Sequence, residues 1–107
     1  MNDLNPILRE ILETKRPTNN VRFCTVWMED FIEKYCPGVV FETDKHNNVT
    51  VSIPGNDLTC FTSHVDTVDN KLGKNHLWIM NDIVMVVGGG ILGADDGAGI
   101  YIMIRMI

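Results

Sequence analysis

Paired cysteines, basic residues and long apolar runs are all scarce in this sequence, and each scarcity removes a class of protein. Cys24, Cys36 and Cys60 are odd in number and form no Cys-x-x-Cys, so neither a disulfide framework nor a cysteine zinc site is expected. Reduced thiols in a cytoplasmic setting fit them best. Nine Lys and Arg stand against fourteen Asp and Glu, for a formal charge of -5. They leave no basic patch to track a phosphate backbone, and nucleic acid is not an expected partner. No stretch reaches the roughly 18 apolar residues of a membrane span. The N-terminal MNDLNPILREILETKR carries acids early, unlike a signal peptide. A soluble protein with no membrane partner is therefore expected. No internal repeat, long linker or block of like charge divides the chain, so residues 1–107 are expected to form a single domain.

What is present is ordinary for a folded chain: 45% apolar and 21% charged residues, too apolar for disorder. Leu4, Ile7, Leu8, Ile11 and Leu12 recur at helical spacing. They predict a first helix over Leu4 to Lys15, capped by Asp3, with Pro6 tolerated in its first turn. RPTNN (16–20) reads as a connector. The stripe Cys24, Trp27, Met28, Phe31, Ile32 and Tyr35 predicts a second helix closed by Pro37 and Gly38. Its aromatics read as core, since a helix packed on a sheet needs such a stripe.

After Gly38 the period shortens to runs rich in Val, Ile, Thr and Phe. Strands are expected over Val39–Thr43, Val49–Ile53 and Leu58–Ser63, joined by turns over Asp44–Asn48 and Pro54–Asp57. A second hairpin is expected from Leu77–Met80 and Ile83–Val87 around Asn81 and Asp82. From about Asp96, DGAGIYIMIRMI reads as a helix apolar nearly all round, which must be buried. The expected fold is α/β, two N-terminal helices on a mixed β-sheet, with a site at the strand ends around His64 and Asp95.

Two segments carry chemistry. In Ser63-His64-Val65-Asp66-Thr67-Val68, His64 and Asp66 would share one face of a strand. A His can bind a metal through one ring nitrogen while a carboxylate holds the other N–H and fixes the tautomer. The tripeptide alone also fits a strand-end His beside an unrelated Asp. The second segment, Gly88 to Gly99, is a glycine-rich approach to the adjacent acids Asp95 and Asp96 at a helix start. A carboxylate there can bridge two divalent cations, and adjacent acids also serve as cap and dipole partners. A dinucleotide loop matches poorly, because the carboxylates would repel a phosphate.

Together, HVDTV and LGADDGAG resemble the cytosolic di-zinc exopeptidases that include peptidase T and aminoacyl-histidine dipeptidase. The resemblance covers roughly Val21 to Ile107 and is specific in the two motifs. It implies that His64 ligates one zinc and that Asp66 serves catalysis by orienting His64. It further implies that Asp95 bridges two zinc ions and that the Asp95–Asp96 peptide is cis. Gly97, where peptidase T has Lys, resembles the dipeptidase branch. The implied activity is zinc-dependent hydrolysis of short peptides near a terminus.

A working site of that kind needs a general base, usually the first of two adjacent glutamates, and further ligands. The family places them after the segment where this sequence stops, and no Glu-Glu pair occurs here. Glu42, Asp44, His46 and His76 lie in or beside predicted turns and read as surface residues. Cys60, next to the site strand, reads as a buried structural thiol. At most a partial zinc site is therefore expected, in an incomplete catalytic domain. A second polypeptide could complete it, or the chain could self-associate through its apolar C-terminal helix. A noncatalytic binding or assembly module and a truncated remnant remain as alternatives.

Overall fold

In the computed structural model, residues 4–55 and 59–107 are described. The order is α1 (Pro6–Glu13), α2 (Val21–Tyr35), β1 (Phe41–Thr43), β2 (Val49–Val51), β3 (His76–Met80), β4 (Ile83–Val87) and α3 (Ala94–Met106). The chain is a mixed α/β fold whose core lies between the helices: Ile11 of α1, Met28, Phe31 and Ile32 of α2, Cys36, and Ile100 and Ile104 of α3. The ring centroids of Trp27 and Phe31 are 4.9 Å apart and those of Phe31 and Tyr35 4.7 Å, so the aromatic stripe is core. No helix among the described residues is long and apolar enough to cross a membrane.

Local chemistry sets the helix ends. Asn5 caps α1, its side chain accepting from the Ile7 N–H at 2.9 Å, with Pro6 in the first turn where a missing N–H costs nothing. Asp3, the expected cap, lies outside the described residues. The helix stops at Glu13, short of the expected Lys15, because Thr14 is already extended. Asn20 caps α2 by accepting from Phe23 N–H at 3.0 Å. After Cys36 the chain turns through Gly38 at a φ of 86°.

Each hairpin is closed by its own turn. Asp44 accepts from the backbone N–H groups of His46 and Asn48, which holds the β1–β2 turn, and Asn47 supplies its positive φ. Asn81 and Asp82 both take positive φ between β3 and β4, the geometry a two-residue hairpin turn demands. Both hairpins occupy the expected places, although β1 and β2 are shorter than the runs that announced them.

The expected mixed sheet does not form among the described residues. β1–β2 and β3–β4 are separate two-stranded antiparallel sheets. The strand expected over Leu58–Ser63 is corrected too: Leu58 lies outside the described residues, and 59–66 carry no ladder. Both hairpins spend their hydrogen bonds on local partners, and among the described residues the segment that would join them makes only isolated strand-type bridges, Thr67 parallel with Pro17 and Lys74 antiparallel with Thr14. A strand-like composition favours extension, but a ladder needs a neighbour to accept its bonds.

α3 packs on α1. Asp95 and Asp96 have non-helical backbone angles, so the regular helix starts at Gly97, near the expected Asp96. Gly97 is buried, and a Cβ there would sit 3.0 Å from Ile11 Cγ2 and 3.1 Å from Arg16 Nη2. A bare glycine is what allows the two helices to approach. The expectation that α3 is buried holds on one face: Gly97, Ile100 and Ile104 are buried, while Ile102 and Met106 are exposed.

Candidate functional site

The segment read as a connector is the strut on which the site is built. Thr67 N–H donates to the Arg16 carbonyl at 2.7 Å and Thr18 N–H to the Thr67 carbonyl at 3.1 Å, which ties 16–18 beside the His64 segment. On its other flank Lys15 N–H donates to Gly73 O at 3.0 Å and Asn75 N–H to Glu13 O at 2.7 Å. The glycine-rich segment then comes down onto the same strut at Gly93, where φ is 73°. A Cβ at Gly93 would stand 2.7 Å from Arg16 Nη2 and 2.8 Å from Thr67 Cγ2, so both the turn and the approach require glycine.

This arrangement brings His64 and Asp95 together across 31 residues of sequence: His64 Nε2 lies 3.1 Å from Asp95 Oδ1. The other ring nitrogen, Nδ1, lies 2.8 Å from the backbone carbonyl of Asp66 and 3.4 Å from Asp66 Oδ1. Asp66 thus holds the imidazole chiefly through its main chain, with its carboxylate just behind. A carbonyl can only accept, so Nδ1 is the protonated nitrogen. In the neutral ring Nε2 is then a lone pair aimed at a carboxylate oxygen. Two acceptors at that distance require a proton or a cation between them. The His64 pKa is raised, first by the bond to the Asp66 carbonyl, which desolvation partly offsets, and then by the Asp95 and Asp66 carboxylates.

The peptide between Asp95 and Asp96 is cis. Asp96 turns away from the His64–Asp95 pair: its carboxylate lies against Gly99, where a Cβ would meet Oδ1 at 2.5 Å, and its carbonyl accepts from Ser63 Oγ at 3.4 Å. His64 and Asp95 open onto a pocket of about 290 Å³ that also meets Thr18, Asp66, Thr67, Val68, Ile91 and Gly93. Both are accessible, with side chains 53% and 95% exposed.

Glu42, Asp44, His46 and His76 are all exposed. Cys60 is a free, exposed thiol, which corrects the expectation of a buried one; the segment around it has no strand neighbour to cover it. Among the described residues, no group of three or more His, Cys, Asp or Glu side chains gathers in a way that could hold a metal ion.

Sequence reasoning missed two residues here. Arg16 is completely buried; its Nη1 donates to Val65 O at 2.8 Å and its Nη2 to Gly93 O at 2.9 Å. Asn75 Nδ2 likewise donates to Leu12 O at 2.9 Å and to Ile91 O at 2.8 Å. Each joins a segment near α1 to a segment flanking the site. A basic residue before proline and an Asn in a polar loop look like surface chemistry, and only the chain's path reveals otherwise. Comparison of the chain with protein-family models, with curated proteins and with solved structures finds no match.

Proposed function

We propose that this chain is part of a zinc-dependent peptidase acting on short peptides near a terminus, with His64 and Asp95 as metal ligands and Asp66 orienting His64. The observation that carries the reading is the His64 Nε2 to Asp95 Oδ1 distance of 3.1 Å, with Nδ1 committed to Asp66. Two ligand atoms each about 2.1 Å from a tetrahedral zinc lie about 3.4 Å apart, so the pair stands close to the separation that a shared ion requires. The resemblance of HVDTV and LGADDGAG to the di-zinc exopeptidases supplies the reaction class.

In this reading Asp66 keeps the proton on Nδ1 and so leaves the Nε2 lone pair free to bind. The Asp95 carboxylate supplies negative charge at the pocket mouth and, with two oxygens, is able to bridge a second ion. Gly93 and the glycines before it let the backbone carry Asp95 to the His64 segment. Zinc, when bound, supplies Lewis-acid polarisation of a peptide carbonyl and acidifies water. The general base and remaining ligands are assigned to residues outside this sequence or to a second polypeptide. The free thiols Cys24, Cys36 and Cys60 suit a cytoplasmic setting.

A noncatalytic assembly module is the second reading, favoured by the exposed face of β3–β4. Trp78 pairs with Met85 and Met80 with Ile83 in the hairpin register, and all four are exposed. Zinc titration by calorimetry separates the two. The wild-type chain is expected to bind zinc saturably, and His64→Ala and Asp95→Ala to lose that binding while circular dichroism stays unchanged. Absence of saturable binding in the wild type, or its survival in both variants, sinks the metal reading and leaves the module.

A further inference from the structure

Arg16 is the one ionisable side chain among the described residues that is completely buried, and nothing in the peptidase reading uses it. Its two terminal nitrogens divide between the two site segments: Nη1 holds the carbonyl of Val65, the residue between His64 and Asp66, and Nη2 holds that of Gly93, two residues before Asp95. The Trp27 ring lies 5.7 Å from the guanidinium carbon. Nε is buried without a hydrogen-bond partner among the described residues. Leaving one donor unpaired and burying a cation are both costly. A fold that only had to bury this position would do so more cheaply with an apolar side chain.

We propose that Arg16 is a positioning residue, whose rigid guanidinium fork sets the separation between the His64 and Asp95 segments and thereby the spacing of the ligand pair. A guanidinium is planar and offers donors at fixed angles, so it spans two carbonyls at a set distance. A lysine ammonium is a point donor on a flexible stem and cannot fix that span. The contacts are to the backbone, so Arg16 acts on where the two segments lie rather than on the ligands themselves. Zinc affinity as a readout rests on the peptidase reading; the state of the His64 ring does not.

The test uses the whole chain with Arg16→Lys and Arg16→Ala, the latter with and without guanidinium at a non-denaturing concentration and with potassium at matched ionic strength. Fold is followed by circular dichroism and cooperative melting. In the metal-free protein, long-range proton–nitrogen correlation at fixed pH reports the His64 tautomer, and calorimetry reports zinc affinity. With the ring neutral and no metal bound, wild type is expected to hold the Nδ1–H tautomer, the exposed Asp95 carboxylate turning off the Nε2 lone pair. Arg16→Lys is expected to stay folded, to give a tautomer mixture and to bind zinc about ten- to hundredfold more weakly, the usual scale for residues that support a ligand. Guanidinium, and not potassium, is expected to restore Arg16→Ala.

A wild-type tautomer and wild-type affinity in Arg16→Lys would overturn the proposal. So would guanidinium that restores melting alone, or failure of both variants to fold, since Arg16 would then be purely structural. A wild type that binds no zinc but loses its tautomer preference in Arg16→Lys would leave the positioning role standing and remove the metal reading.

Discussion

Glu10 shows how one half-buried helix position acquires a structural duty. Its Oε1 accepts from Lys34 Nζ at 2.6 Å and from Tyr35 OH at 2.5 Å, which ties α1 to the last turn of α2. Partial burial pushes its carboxyl pKa up, but the bonds from Lys34 and Tyr35 and the lysine's charge outweigh that and hold it below the ordinary value. The folded chain therefore gives up this proton more readily than the unfolded one. Where pH falls below the unfolded value of about 4.3, the unfolded state binds the proton first, and stability drops until pH passes the folded value. The contribution is present above that window and absent below it. Glu10→Gln is expected to melt lower than wild type near about pH 7, with the gap closing toward about pH 3. Thermal melts across that range check it, and a gap independent of pH would show that the pair does not hold the helices together.

At the scale of elements, the stretch between α1 and α2 matters more than either hairpin for the site. It is bracketed by the parallel bridge of Pro17 with Thr67 and the antiparallel bridge of Thr14 with Lys74. Asn75 locks the second flank by donating one amide nitrogen to both Leu12 O and Ile91 O, and it is 5% exposed. Asn75→Asp replaces that donor with an acceptor facing two carbonyls. Each carbonyl left buried and unpaired costs about 1–3 kcal/mol. The variant is expected to lose roughly 2–4 kcal/mol in urea denaturation, summing partly relaxed penalties. It should also weaken zinc binding, because Ile91 lines the same pocket as His64 and Asp95. A loss below about 1 kcal/mol would place the lock elsewhere.

Across the whole molecule, what the sequence made legible is what is local. Helical spacing located α1 and α2, and turn residues located both hairpins, because caps, periodicity and positive-φ positions act within a few residues. The meeting of His64 with Asp95, 3.1 Å apart, was legible only through the resemblance of the two motifs taken together, since each alone also reads as ordinary local chemistry. What escaped reading is non-local: whether two hairpins merge into one sheet, whether residues 59–66 find a strand partner, and which donors Arg16 and Asn75 offer to carbonyls far along the chain.

The same division sets how the molecule should open. Ile11, Phe31, Ile32, Ile100 and Ile104 are at most 6% exposed and join all three helices, so their amides open only with the core. β3–β4 buries neither face completely, leaving Trp78, Met80, Ile83, Met85 and Val87 exposed, and among the helices its main contact is β3 with α1. Local opening of such an element exposes little new apolar surface and therefore costs little. In native-state hydrogen exchange, the paired amides of β3–β4 are expected to exchange through a low-energy opening at a rate nearly independent of low urea. The central amides of α2 are expected to follow global unfolding with a steep urea dependence. Equal protection of the two would mean that the hairpin is bound into the same cooperative unit as the helices. The apolar face of β3–β4 would then have to be covered in solution.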